Sequence, residues 1–145
     1  MTTKVKNIIS CNLKPLNKKA ETIFKKIIAG VKPDEVKRIG EKGSVFMQVV
    51  VEEYFTLQYG KVYTVGHYYT QNGDLMSDPR MTFLVNDDDG RVYPLSFEMH
   101  GVFARYEENC NFTDGILSGI YRKMNNDHKN FANQWMENID NQQNL

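Results

Sequence analysis

The sequence predicts an α+β fold: an antiparallel meander of about five to six strands, flanked by an N-terminal helix and one or two C-terminal helices. Three observations carry that expectation. Apolar residues recur at three- and four-residue spacing near both ends of the chain, and they alternate with polar residues through its middle. The links between the alternating segments are short and rich in Gly, Asn and Asp, which suits hairpins and is too short for the crossovers of a parallel sheet.

Residues 1–16 are polar and end near Pro15, so they read as an arm or an edge strand. Residues 17–40 form a basic helical region. Asn17 suits the N-cap, Ile23, Phe24, Ile27, Ile28 and Val31 make one buried stripe, and Gly30 and Pro33 mark the end. A further turn of helix is expected over Asp34–Ile39. The sheet is expected over 45–107. Val45, Met47, Val49 and Val51 alternate in a first strand, and Phe55, Leu57 and Tyr59 in a second. After a turn at Gly60-Lys61, a third strand (Val62–Thr70) puts Tyr63, Val65, His67 and Tyr69 on one face. Asn72-Gly73 is the dipeptide of tight type I′ hairpins. Asp78-Pro79 punctuates again before Met81, Phe83 and Val85, and the turn Asp87–Gly90 leads to a fifth strand, Arg91–Met99. A sixth covers Val102–Tyr106. From 114 to 141 the helical period returns in Leu117, Tyr121, Met124, His128, Phe131, Trp135 and Ile139. Asn125-Asn126-Asp127 are poor helix formers and predict a break into two helices. Residues 141–145 are expected to fray.

With 145 residues, 41% of them hydrophobic, the chain can bury one core, so a single domain over 1–145 is expected without help from a metal or a disulfide. No apolar run reaches the roughly 18–20 residues of a membrane span, and the N-terminus lacks the apolar segment of a signal peptide. A cytoplasmic location is therefore expected, with no membrane contact. Cys11 and Cys110 then read as reduced thiols, and the glycosylation sequon at Asn111 as coincidence.

No catalytic fingerprint is present: no nucleophile elbow, phosphate loop or dinucleotide fingerprint occurs. The turn Asp87-Asp88-Asp89-Gly90 fails as a calcium loop, because placing Gly90 sixth puts Val85 first and Ser96 twelfth. No two of the three histidines, His67, His100 and His128, have a metal-ligand spacing. His67 and His128 fall on packed faces and read as hydrogen-bonded core residues. The sharper alternative joins His67 to Asp74 and Asp78 across the hairpin as a metal or acid–base site. Neither a cofactor nor a resident metal is expected.

Charge is the more distinctive feature. Residues 1–42 hold eleven Lys and Arg against four Asp and Glu, a balance of +7 that the remainder offsets with −7. Lys18, Lys19, Lys25 and Lys26 lie on the polar side of the first helix, with Lys4, Lys6 and Lys14 before it. Such a face suits a nucleic acid or an acidic protein, or pairing between two copies in a homodimer.

The run from His67 to Phe83 combines His67-Tyr68, Asn72-Gly73-Asp74 and Asp78-Pro79-x-Met81. It resembles the central signature of a family of small uncharacterised proteins of plasmids, phages and conjugative elements. Tyr93-Pro94-Leu95-Ser96 and Phe131-Ala132-Asn133-Gln134-Trp135 are similar to the same family, a likeness over roughly 45–143. Arg80, where an acid is expected, and the basic N-terminal region depart from it. The resemblance implies an accessory protein of a mobile element and carries no activity with it. Two readings follow: a non-enzymatic binding module that contacts protein or nucleic acid through its N-terminal helix, or a small hydrolase or metal-dependent enzyme centred on His67, Asp74 and Asp78.

Overall fold

Asn17 starts the first helix. In the computed structural model, which describes residues 12–145, its side-chain oxygen accepts the Ala20 N–H at 2.8 Å and its carbonyl accepts the Glu21 N–H. The first bond satisfies a donor that a helix start leaves orphaned, and the second is the first regular bond of the helix. Helix α1 (Lys18–Ile28) buries Ala20, Ile23, Phe24 and Ile27 and ends at Ala29, with Gly30 at a positive φ of 78°. The expected arm falls partly outside the described residues, Lys4, Lys6 and Cys11 included. Of the remainder, Leu13 and Leu16 are buried.

The expected helical turn after α1 is a strand instead. β1 (Val36–Ile39) pairs antiparallel with β2 (Val49–Leu57). Pro33 and the positive φ of Asp34 stop the helix, and Lys37 turns back to donate to the carbonyls of Lys26 and Ala29. β2 is also one strand where two were expected. A bulge at Tyr54 inserts an extra residue, so Val49 and Val51 face one side while Phe55 faces the other. Val45 and Met47 lie before the strand and are exposed.

β3 (Gly60–Gln71) and β4 (Asp74–Asn86) form the central hairpin. Asn72 and Gly73 close it at φ values of 53° and 85°, as the type I′ turn requires. Gly60 opens β3 at φ 151°, where an added Cβ would overlap the Val85 carbonyl oxygen. The expected break at Asp78-Pro79 does not occur: the peptide bond is cis and β4 continues through it. β5 (Val92–Met99) follows the acidic turn, in which Asp89 accepts the Arg91 N–H at 2.8 Å and the Tyr93 hydroxyl at 2.6 Å. β6 (Arg105–Glu108) starts three residues later than expected. The sheet order is β1-β2-β3-β4-β5-β6, a pure antiparallel meander.

Residues 110–120 depart most from the sequence pattern. They form a separate hairpin, β7 (Cys110–Thr113) and β8 (Ile116–Ile120), not the start of a helix. A single helix, α2 (Arg122–Gln143), then runs through Asn125-Asn126-Asp127 without a break. Asn125 is buried, and its side chain accepts the Lys14 N–H at 2.9 Å and donates to the Lys14 carbonyl. A poor helix former is kept there because its buried amide is satisfied by the main chain of another segment.

Each face of the sheet has its own core. α1 and α2 cover one face, packing Phe24, Ile27, Trp135, Met136 and Ile139 on Val49, Val65, Met81, Phe83 and Phe97. The β7–β8 hairpin covers part of the other, where Leu117 and Cys110 meet Tyr59, Val62, Leu84 and Tyr93. Glu21 ties the layers together: buried on α1, it accepts the Arg91 guanidinium at 2.8 Å and the Val92 N–H at 2.8 Å.

Candidate functional site

His67 sits at a bulge in β3 and turns into the helix-side core. Gln48 offers a carbonyl oxygen at 3.0 Å, so Nδ1 must donate, and the Trp135 indole N–H lies 3.0 Å from Nε2, which must accept. Both ring nitrogens are thus engaged, leaving none for a metal ion or a substrate proton. Asp74 is exposed at the hairpin tip, four residues beyond His67 along the paired strands, about 13 Å at the strand rise. Asp78 lies beside the bulge. Among the described residues, no group of three or more His, Cys, Asp and Glu is placed to hold a metal.

The other two histidines are also tied to the protein. Ser77 N–H donates to Nδ1 of His100 at 2.8 Å, and the Ser77 hydroxyl donates to Glu98 at 3.1 Å. Arg80, Glu98 and Tyr106 share a cross-strand row on the sheet face away from the helices, because their neighbours Met81 and Phe97 point into the helix-side core. The Arg80 guanidinium stands 5.3 Å from the Tyr54 ring. Burial raises the Tyr68 hydroxyl above its ordinary value, with Arg80 opposing the shift. Burial also pushes the Tyr106 hydroxyl up to about 12, helped by its bond to Glu108. The Cys110 thiol is likewise pushed up to about 12 by burial, with the Glu108 charge adding to it, so it is no thiolate nucleophile near neutral pH.

The α1 lysines are exposed. Lys19 is bound to Glu137 of α2 at 2.7 Å, which raises its ammonium above the ordinary value. Lys18, Lys25 and Lys26 form no ion pair among the described residues. The structure therefore brings these four lysines onto one surface but spends one of them on helix packing.

Sequence reasoning missed a groove between β6 and the start of α2. A cavity of about 540 Å³ is floored by Phe97, Met124 and Phe131 and rimmed by Arg105, Arg122 and Lys123. A second, of about 420 Å³, continues it along β6 and shares Glu107, Tyr121 and Met124. His128 is buried at its base, stacked on Phe97 with centroids 5.7 Å apart. Asn109 donates from Nδ2 to the Pro94 carbonyl and to Nδ1 of His128, which leaves Nε2–H to donate to Glu107 at 3.0 Å. Arg105 caps the other side of the floor, 4.6 Å from the Phe97 centroid and 3.7 Å from Glu107. Lys123 holds Asp127 at 3.1 Å. The local sequence signal is the adjacent pair Arg122-Lys123, which the pattern places inside a helix from 114 and the structure places at the start of α2, with no acid in its first turn.

No helix among the described residues is long and apolar enough to cross a membrane. No curated protein and no solved structure matches the chain. One family model does, over residues 17–145, and it therefore reaches into the basic N-terminal region that the sequence resemblance had left out. On that match the chain belongs to the family described as Domain of unknown function (DUF6908).

Proposed function

We propose that the domain is a non-enzymatic binding module, an accessory protein of a mobile element, and that its partner is a protein held along the β6–α2 groove. The observation behind this reading is the groove itself, open beside a sheet edge and floored by aromatic and thioether side chains. Aromatic residues, Met and Arg are the types enriched where proteins dock, and Phe97, Tyr121, Met124, Phe131, Arg105 and Arg122 all line it. The histidines favour binding over catalysis, since His67 and His128 spend both ring nitrogens on protein partners. A groove that also carries Glu107 and Asp127 suits a protein better than a phosphate backbone.

Contact with nucleic acid is the second reading, favoured by the exposed Lys18, Lys25 and Lys26. One comparison separates the two. The full chain, Met124→Asp and the triple variant Lys18→Glu/Lys25→Glu/Lys26→Glu are used as baits in extract of the native cell, with and without nuclease treatment. The reading expects one protein to be retained by the wild type and the lysine variant and weakened about tenfold or more by Met124→Asp, with helix content unchanged. Nuclease-sensitive binding that only the lysine variant loses would replace it with the nucleic-acid reading.

A further inference from the structure

We infer that the β6–α2 groove takes an extended peptide segment, which adds a strand to β6, seats an apolar side chain on the Phe97–Phe131 floor and places a carboxylate beside Arg122. This rests on the groove being the partner-binding site and names the chemistry of what it holds.

The backbone is the first ground. β6 is the last strand of the sheet, and its outer edge has no partner strand among the described residues. Just past its end, Asn109 N–H donates to the Leu95 carbonyl of β5 at 2.9 Å. Main-chain groups alternate in direction along a strand, so those of Tyr106 and Glu108 face away from β5 toward the open edge. Neither makes a main-chain bond to another element among the described residues. The four residues of β6 offer roughly 13 Å of strand, enough for a short extended segment. Main-chain bonds of this kind supply affinity, and pockets for alternate side chains supply selectivity.

The floor and the charges give the second ground. Every other side chain of an added strand turns to the same side, where Phe97, Met124 and Phe131 line the cavity. Arg105 is taken by Phe97 and Glu107, Glu107 is also bound by His128, and Lys123 is bound to Asp127. Arg122 has no carboxylate at ion-pair distance among the described residues, and the first turn of α2 holds no acid. At the Phe97–Phe131 end of the groove the charge left over is therefore positive, Glu108 lying at the other end on the Tyr106 hydroxyl, and a carboxylate complements it. That carboxylate is an acidic side chain or a free C-terminus.

The test is selection of peptides from a displayed library of random eight-residue sequences against the full chain. Selected peptides are expected to combine a bulky apolar residue with a carboxylate and to slow amide exchange at Tyr106 and Glu108 at least tenfold. N-methylation of alternate peptide residues should weaken binding more than tenfold in one register and leave the other unaffected. Arg122→Glu should weaken carboxylate peptides about fivefold or more and spare their Asn-substituted, C-amidated versions. Amidating the C-terminus alone, or changing the acid alone, tells the two sources of the carboxylate apart. No selected peptide, indifference to N-methylation in both registers, or protection at another surface would overturn the inference. So would protection of Tyr106 and Glu108 by rising concentration of the protein alone, which would make a second copy the occupant. If it is overturned while Met124→Asp still releases a native protein, only the strand-addition mode is lost; if Met124→Asp releases nothing, the function proposed for the groove falls with it.

Discussion

The bond from Trp135 to His67 decides whether the histidine of the central hairpin is a structural group. Trp135 and His67 are both buried, and their 3.0 Å hydrogen bond joins α2 to β3 across the core. Trp135→Phe keeps an aromatic ring but leaves Nε2 of His67 without a donor. An orphaned buried acceptor costs about 1–3 kcal/mol, and the smaller ring adds the loss of packing, so a total of about 2–4 kcal/mol is expected. His67→Leu leaves the Trp135 N–H and the Gln48 carbonyl unpaired and should cost a similar amount. In the double variant the orphaned pair across the core is gone. Its cost should therefore fall short of the sum of the single costs by about 1–2 kcal/mol. Urea unfolding followed by far-UV circular dichroism measures all four proteins, with constant slope as the check on comparability. Strict additivity, or a Trp135→Phe cost below about 0.5 kcal/mol, would refute the structural role.

Three further outcomes follow from the packing. Asn125→Ala improves intrinsic helix propensity, yet it should destabilise by about 1–3 kcal/mol because the Lys14 main chain loses its partner; a gain in urea midpoint would contradict this. Glu21→Ala strands the Val92 N–H and the Arg91 guanidinium, a loss of about 2–4 kcal/mol in the same assay, and adding Arg91→Met should recover part of it. Alkali should destabilise the fold from about pH 9. The Cys110 thiol ionises near its ordinary 9.0 in the unfolded chain but near 12 when buried, so the unfolded state sheds its proton first and stability falls as pH rises between those values. The slope approaches about 1.4 kcal/mol per pH unit. In Cys110→Ala the fall should begin only near pH 10, where tyrosines such as Tyr106 take over. An unchanged pH profile would count against it.

Sequence patterns revealed the fold wherever local chemistry and tertiary placement agreed. Asn17, the α1 stripe and the Asn72-Gly73 turn act through neighbouring residues, and all three stand where the pattern put them. Patterns misled where a distant partner decided. Asn125 looks like a helix break because its partner, Lys14, lies 111 residues away. The bulge at Tyr54 reverses the facing of Phe55, and alternation alone makes that look like a new strand. Leu117 continues the helical spacing of α2 yet belongs to a hairpin, where it packs under Tyr59. The groove was hidden for a similar reason: Phe97, Glu107 and His128 come from three elements, and nothing in their spacing announces that they meet. Among the sites singled out in advance, the α1 lysines do share one exposed surface, whereas His67 turns away from solvent to Trp135.

The most direct test of the account is site-specific photocrosslinking in the native cell. A photoreactive phenylalanine analogue is placed at Tyr121 on the groove, and in a parallel strain at Lys25 on α1. The account predicts a discrete protein adduct from position 121 that Met124→Asp removes, and none from position 25. A nucleic-acid adduct from position 25 with no protein adduct from position 121 would contradict it.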